Sequence, residues 1–138
     1  VNDDDMVITK MDLEEKLSHS REGLALRTLP NTKEKLAQKY KPSNTVFFTT
    51  DAITFLNDLG IKHLVVDIPS LDRTNDNGML GNHHRYFEVK PPFIKTITEL
   101  AFIPDSLDDG LYFMVIEIPP MQLDAAPSRP FLFKYEEK

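Results

Sequence analysis

A helix that runs through a glycine straight into an apolar strand limits the fold of this chain more than any other feature. Thr50 can cap the helix, and Ala52, Phe55, Leu56 and Leu59 recur at i, i+3, i+4 and i+7, the spacing of one helical face. Gly60 follows where a left-handed residue ends a helix at least cost. The next segment, Ile61 to Ile68, has the continuous apolar centre Leu64-Val65-Val66, which predicts a strand buried on both faces. Helix, glycine and doubly buried strand together make half of a β-α-β unit and point to an α/β fold. Asp67-Ile68-Pro69-Ser70 then closes the strand at its carboxyl end, where ligands bind in open α/β sheets. Asp67 and Ser70 are therefore candidates for lining a substrate pocket, with an Asx-type turn and a cap beside Pro69 as their plainer roles.

The rest of the chain fits around that unit. Residues 1 to 5 are an acidic lead-in, and Met6-Val7-Ile8 reads as a short strand. Thr9 and Asp12 form a capping box, with Leu13 and Leu17 on one face of the helix it starts. Gly23 to Thr28 predicts a strand ended by Leu29-Pro30-Asn31, since proline cannot continue a ladder. The basic stretch Thr32 to Tyr40 is weakly amphipathic, and Lys41-Pro42-Ser43-Asn44 is a loop. From Leu71 to Asn82 the chain is polar and reads as a long surface loop, in which Arg73, Asp72 and Asp76 form a solvated cluster. His83 to Phe87 predicts a turn of helix, and Pro91-Pro92 holds Val89 to Ile94 extended. Three further strands are expected at Thr96 to Phe102, Leu111 to Ile118 and Arg129 to Tyr135. The expected architecture is one domain over residues 1–138, a mixed β-sheet packed by two or three helices.

Composition narrows the function classes. At 138 residues the chain can bury about two thirds of its unfolded surface. A net charge of −6 argues against nucleic acid or an anionic membrane as partner. No apolar run approaches the roughly 20 residues of a membrane span, and no leader pattern is visible, so cytoplasm is the default compartment. With no cysteine, disulfides, thiolate nucleophiles and thiolate metal ligands are all excluded. There is no Gly-x-Ser-x-Gly elbow and no phosphate-binding glycine loop.

What remains is a pair of donors. His83 and His84 lie upstream of Glu99, a carboxylate set in the apolar run Thr96-Ile97-Thr98-Glu99. A carboxylate in such a setting is costly to bury unless a metal, a cation or a donor network meets it. Imidazole and carboxylate are both ligands a divalent metal accepts. The bland alternative is a loop histidine and an ion-paired glutamate.

Four segments, in order, resemble the cyclase family of metal-dependent hydrolases, which includes bacterial kynurenine formamidases. They are Leu26-Arg27-Thr28-Leu29-Pro30-Asn31, the run His63 to Arg73 containing Asp67-Ile68-Pro69-Ser70, the stretch His83 to Glu99, and Asp124-Ala125-Ala126-Pro127-Ser128-Arg129-Pro130. The resemblance implies the swivelling β/β/α fold, represented by its later portion. It also implies that His83 (with His84 as the alternative) and Glu99 are metal ligands, and that the metal is zinc or manganese. The family's amino-terminal His-Gly-Thr-His motif is absent: His19 stands in Ser18-His19-Ser20 without matching neighbours. Half of the ligand set is thus missing.

Two functional expectations follow. The chain is the carboxyl-terminal part of a metal-dependent amide or formamide hydrolase, its other ligands supplied by a complementary amino-terminal chain or by a second copy. Alternatively it is a truncated, non-catalytic relative acting as an oligomeric or binding protein. In either case exposed sheet edges and apolar faces predict homo-oligomers.

Overall fold

The computed structural model describes residues 6–41, 45–88 and 94–135. The acidic lead-in, most of the Lys41–Asn44 loop and the Pro91-Pro92 segment expected to be extended lie outside the described residues. Among the described residues seven strands and three helices are found: β1 (Val7–Ile8), α1 (Lys10–Glu14), β2 (Gly23–Leu26), β3 (Phe47–Phe48), α2 (Thr50–Asp58), β4 (His63–Val66), α3 (Gly81–Phe87), β5 (Thr96–Thr98), β6 (Tyr112–Glu117) and β7 (Arg129–Lys134). All but β3, a two-residue strand the sequence does not signal, follow the expected order. The basic stretch after β2 holds a short 3-10 helix, Lys33–Ala37.

The strands divide among three small sheets, so the parallel and antiparallel pairings expected of one mixed sheet are kept apart. β2-β4-β5 is all parallel with β4 in the centre, β1-β3 is a parallel pair, and β6-β7 is an antiparallel hairpin. Each parallel pairing needs a crossover, which α2 supplies between β2 and β4, and α3 between β4 and β5.

β4 is buried on both faces, as its apolar run requires. Leu64 and Val66 join Ile8, Leu13, Phe48, Ala52, Ile53, Leu56 and Tyr86 in one helix-side core. Val65 points the other way and is also buried. Its sheet neighbours Ala25 and Thr98 share that face by register, and the Thr98 hydroxyl meets Ser128 Oγ at 3.1 Å, at the entry to β7. Gly23, on the same face, admits the hairpin closely: a Cβ there would stand 2.5 Å from the Met114 methyl. The layers are helices, parallel sheet and hairpin.

Helix ends follow local chemistry. The Thr9–Asp12 capping box is formed, with the Thr9 N–H donating to Asp12 at 2.8 Å. Hydrogen bonding from Thr9 holds the Asp12 carboxyl below its usual range. α2 is capped by Thr49, one residue before the expected Thr50, because the Thr49 hydroxyl accepts the Ala52 N–H at 3.4 Å. Ile53 joins Ala52 and Leu56 as fully buried, while Phe55 and Leu59 pack at the edge of the core. Gly60 ends the helix at φ +80°.

Candidate metal centre

The turn after β4 and the start of α3 build the site. Pro69 to Asp72 leave the central strand, and the chain returns nine residues later as α3, whose N-cap, Leu80, is left-handed (φ 46°, ψ 42°) and offers no side-chain cap. Asp72 caps the helix instead. Its Oδ1 accepts the Asn82 N–H at 2.6 Å, and its Oδ2 lies 3.4 Å from the His83 N–H. Asn82 fixes the same junction from the other side, donating to the Phe48 and Leu71 carbonyls at 2.7 and 2.9 Å. The Leu71–Asn82 stretch is therefore not simply a surface loop: Leu71, Asp72 and Asn82 are buried because α3 and β3 close over them.

His83 stands between two carboxylates. Asp72 Oδ2 is 2.6 Å from Nδ1, and Glu99 Oε1 is 3.4 Å from Nε2. Glu99 contributes most to raising the imidazole from 6.5 to about 9, Asp72 adds to it, and partial burial opposes both. The shorter contact is nonetheless the one to Asp72. Glu99 is held in turn by the Leu71 N–H, 3.0 Å from the same Oε1. Immediately after it, Leu100 takes a left-handed backbone (φ 58°).

His83 and Glu99 are thus brought together, whereas His84 takes no part in this contact. Two ligands about 2.1 Å from a tetrahedral ion lie roughly 3.4 Å apart, so the Nε2–Oε1 gap fits a shared divalent ion. Asp72 cannot join them, because it meets the opposite nitrogen of the ring. Among the described residues no group of three or more His, Asp or Glu side chains converges to hold a metal.

Asp72 is the residue that sequence reasoning missed, placed there in a solvated cluster with Arg73 and Asp76. Those two do stay outside: Arg73 lies over the Phe47 ring at 4.8 Å, and Asp76 accepts the Gly78 and Leu80 N–H groups of its own turn. The signal for Asp72 was its position, two residues past Ser70 at the carboxyl end of a doubly buried strand.

Asp67 and Ser70 border different recesses. Ser70 Oγ accepts the Asp72 N–H at 3.1 Å and lines a recess of about 310 Å³ with Tyr40, Pro69 and Arg73. Asp67 is buried and accepts from Lys35 Nζ at 2.6 Å and the Thr28 N–H at 2.8 Å. It borders a second recess of about 240 Å³ with Leu36, Leu100 and Phe102. Arg27 has a structural role, donating to the Pro104 and Leu107 carbonyls at 2.9 Å and pairing with Asp109 at 3.3 Å.

Solved structures share this architecture. One, described as a potential metal-dependent hydrolase with cyclase activity, superposes with a TM-score of 0.68 at 25% identity, over 96% of this chain and 60% of its own. Another, described as the predicted metal-dependent hydrolase from Bacillus stearothermophilus, gives 0.64 at 23% identity, over 96% and 58%. The chain shares its fold with these two structures. The chain spans about 60% of the length of those two structures. No protein-family model and no curated protein matches it. Among the described residues no helix is long and apolar enough to cross a membrane.

Proposed function

We propose that this chain carries half of the metal centre of a cyclase-type amide hydrolase, acting on a formamide or cyclic amide such as N-formylkynurenine. The single observation behind the reading is the 3.4 Å approach of His83 Nε2 to Glu99 Oε1, with Asp72 on the other ring nitrogen. His83 and Glu99 would hold a zinc or manganese ion. Such an ion supplies Lewis acidity, lowering the pKa of a bound water and polarising the substrate carbonyl. Glu99, tied to the Leu71 N–H, is kept from swinging away from His83. Ser70, which lines the larger recess with Asp72, would face the substrate, and Asp67 would border it from the second recess.

Hydrolytic zinc sites hold three protein ligands. On this reading the remaining donors come from outside these 138 residues, as a complementary amino-terminal polypeptide or a second copy could supply them. The experiment is hydrolysis of N-formylkynurenine with added zinc or manganese, by the chain alone and mixed with the amino-terminal part of a related hydrolase. Turnover in the mixture, absent when either His83 or Glu99 is replaced by alanine, supports the reading; no turnover in any mixture counts against it.

A second reading is a non-catalytic relative that keeps the sheet and serves as a binding or oligomeric protein. Its motivation is that His83 and Glu99 gather no third donor among the described residues. Elemental analysis of protein purified without chelator or metal-affinity tag separates the two, since near-stoichiometric metal favours the hydrolase.

A further inference from the structure

We infer that Asp72 is a positioning residue: its carboxylate keeps His83 Nδ1 protonated and turns Nε2 toward Glu99, while the neighbouring Leu71 N–H holds Glu99. One turn thus sets the gap between both donors. The inference rests on the proposed metal-centre reading for its purpose, but not for its geometry.

The argument begins with what Asp72 touches. Its side chain is 7% exposed, and its two oxygens do different work. Oδ1 takes the Asn82 N–H at 2.6 Å and so anchors the first turn of α3. Oδ2 lies 2.6 Å from His83 Nδ1. Both ring nitrogens face a carboxylate, which has no proton to give, and the neutral ring carries one hydrogen; the 2.6 Å contact to Asp72, against 3.4 Å to Glu99, places it on Nδ1. The other nitrogen then presents its lone pair, and it faces Glu99 at 3.4 Å. A carboxylate that fixes the tautomer and orientation of a ligating histidine in this way makes the ring a better ligand.

The same turn governs the second donor. Leu71 is fully buried, so its N–H is fixed in place, and it donates to Glu99 Oε1 at 3.0 Å. Ser70 Oγ accepts the Asp72 N–H at 3.1 Å and stiffens the turn from behind. Consecutive residues of one turn therefore hold an imidazole from α3 and a carboxylate just after β5, two elements that share no hydrogen bond among the described residues.

Asp72→Asn distinguishes positioning from mere capping. The asparagine oxygen can still accept the Asn82 N–H, so α3 keeps its anchor. Its amide nitrogen then faces Nδ1 as a donor, and the neutral ring must move its proton to Nε2. The readout is the ¹⁵N tautomer signature of His83 in metal-free protein, recorded well above its midpoint of about 9, where the neutral ring dominates. Wild type is expected as the Nδ1–H form and D72N as the Nε2–H form. Zinc affinity, measured by competition with a chromophoric chelator, is expected to fall about 10- to 100-fold in D72N.

An Nε2–H ring in wild type overturns the inference, and that result needs no variant to fold. An unchanged tautomer together with unchanged zinc affinity in a folded D72N overturns it equally. If wild type takes up no zinc while the tautomer switches as expected, the metal reading fails and the positioning role stands.

Discussion

Replacing Lys35 with methionine removes the cationic partner of a carboxylate at the end of the central strand. The Lys35 side chain is 13% exposed and that of Asp67 2%, with Nζ and Oδ2 2.6 Å apart. Removing one member of a buried pair typically costs 3–5 kcal/mol, because the other charge is left uncompensated. Asp67 would retain the Thr28 N–H at 2.8 Å and the Thr28 hydroxyl at 3.2 Å, which places the expected loss at the lower end, about 3 kcal/mol. Asp67→Asn should cost less, about 2 kcal/mol, since Lys35 keeps the Thr28 carbonyl at 2.5 Å and the Thr28 hydroxyl at 3.0 Å. In the double variant no charge is left unpaired, so the single losses should fail to add by about 2 kcal/mol. Urea unfolding of the four proteins at constant m-value measures the cycle. A K35M loss below about 1 kcal/mol, or strict additivity, would refute the claim that this pair ties the 3-10 segment to the sheet.

Other predictions concern strain, burial and charge. Leu100 is left-handed and 60% exposed, so Leu100→Gly should raise stability by about 1 kcal/mol in calorimetry; a loss would show that its side chain is held by packing. Tyr86 is fully buried and its hydroxyl has no partner among the described residues, so Tyr86→Phe should be neutral or stabilising by about 1 kcal/mol. In metal-free protein the His83 ring should titrate near 9 by NMR. Because its folded pKa is raised, the protonated ring stabilises the fold fully below about 6.5, and that contribution disappears as pH rises through about 9. A midpoint at or below 6.5 would contradict the two-carboxylate environment. The paired Phe113 and Phe133 are 66% and 55% exposed on the outer hairpin face, which predicts self-association by light scattering; a monomer at high concentration would oppose it.

Where the governing forces were local, the sequence was legible. The α2–Gly60–β4 unit shows because helical periodicity, a left-handed stop and a doubly apolar strand each leave their own pattern. The Thr9–Asp12 box and α3 were visible for the same reason. The cap fell on Thr49 rather than Thr50 because two adjacent threonines offer the same hydroxyl. Asp72 was hidden because its neighbours are polar, and only α3 folding back over the turn buries it. The Lys35–Asp67 pair joins residues 32 positions apart, and a weakly amphipathic basic stretch gives no hint of it. His83 and Glu99 could be marked as donors one by one, but their spacing depends on β5 lying beside β4 and on the Leu71 N–H.

The account stands most directly on zinc titration of wild type against a His83→Ala/Glu99→Ala variant, followed by calorimetry and with folding of both confirmed. It predicts one weak zinc site per wild-type chain, accompanied by proton release from His83, and no such site in the variant. Equal zinc binding by the two proteins would contradict it.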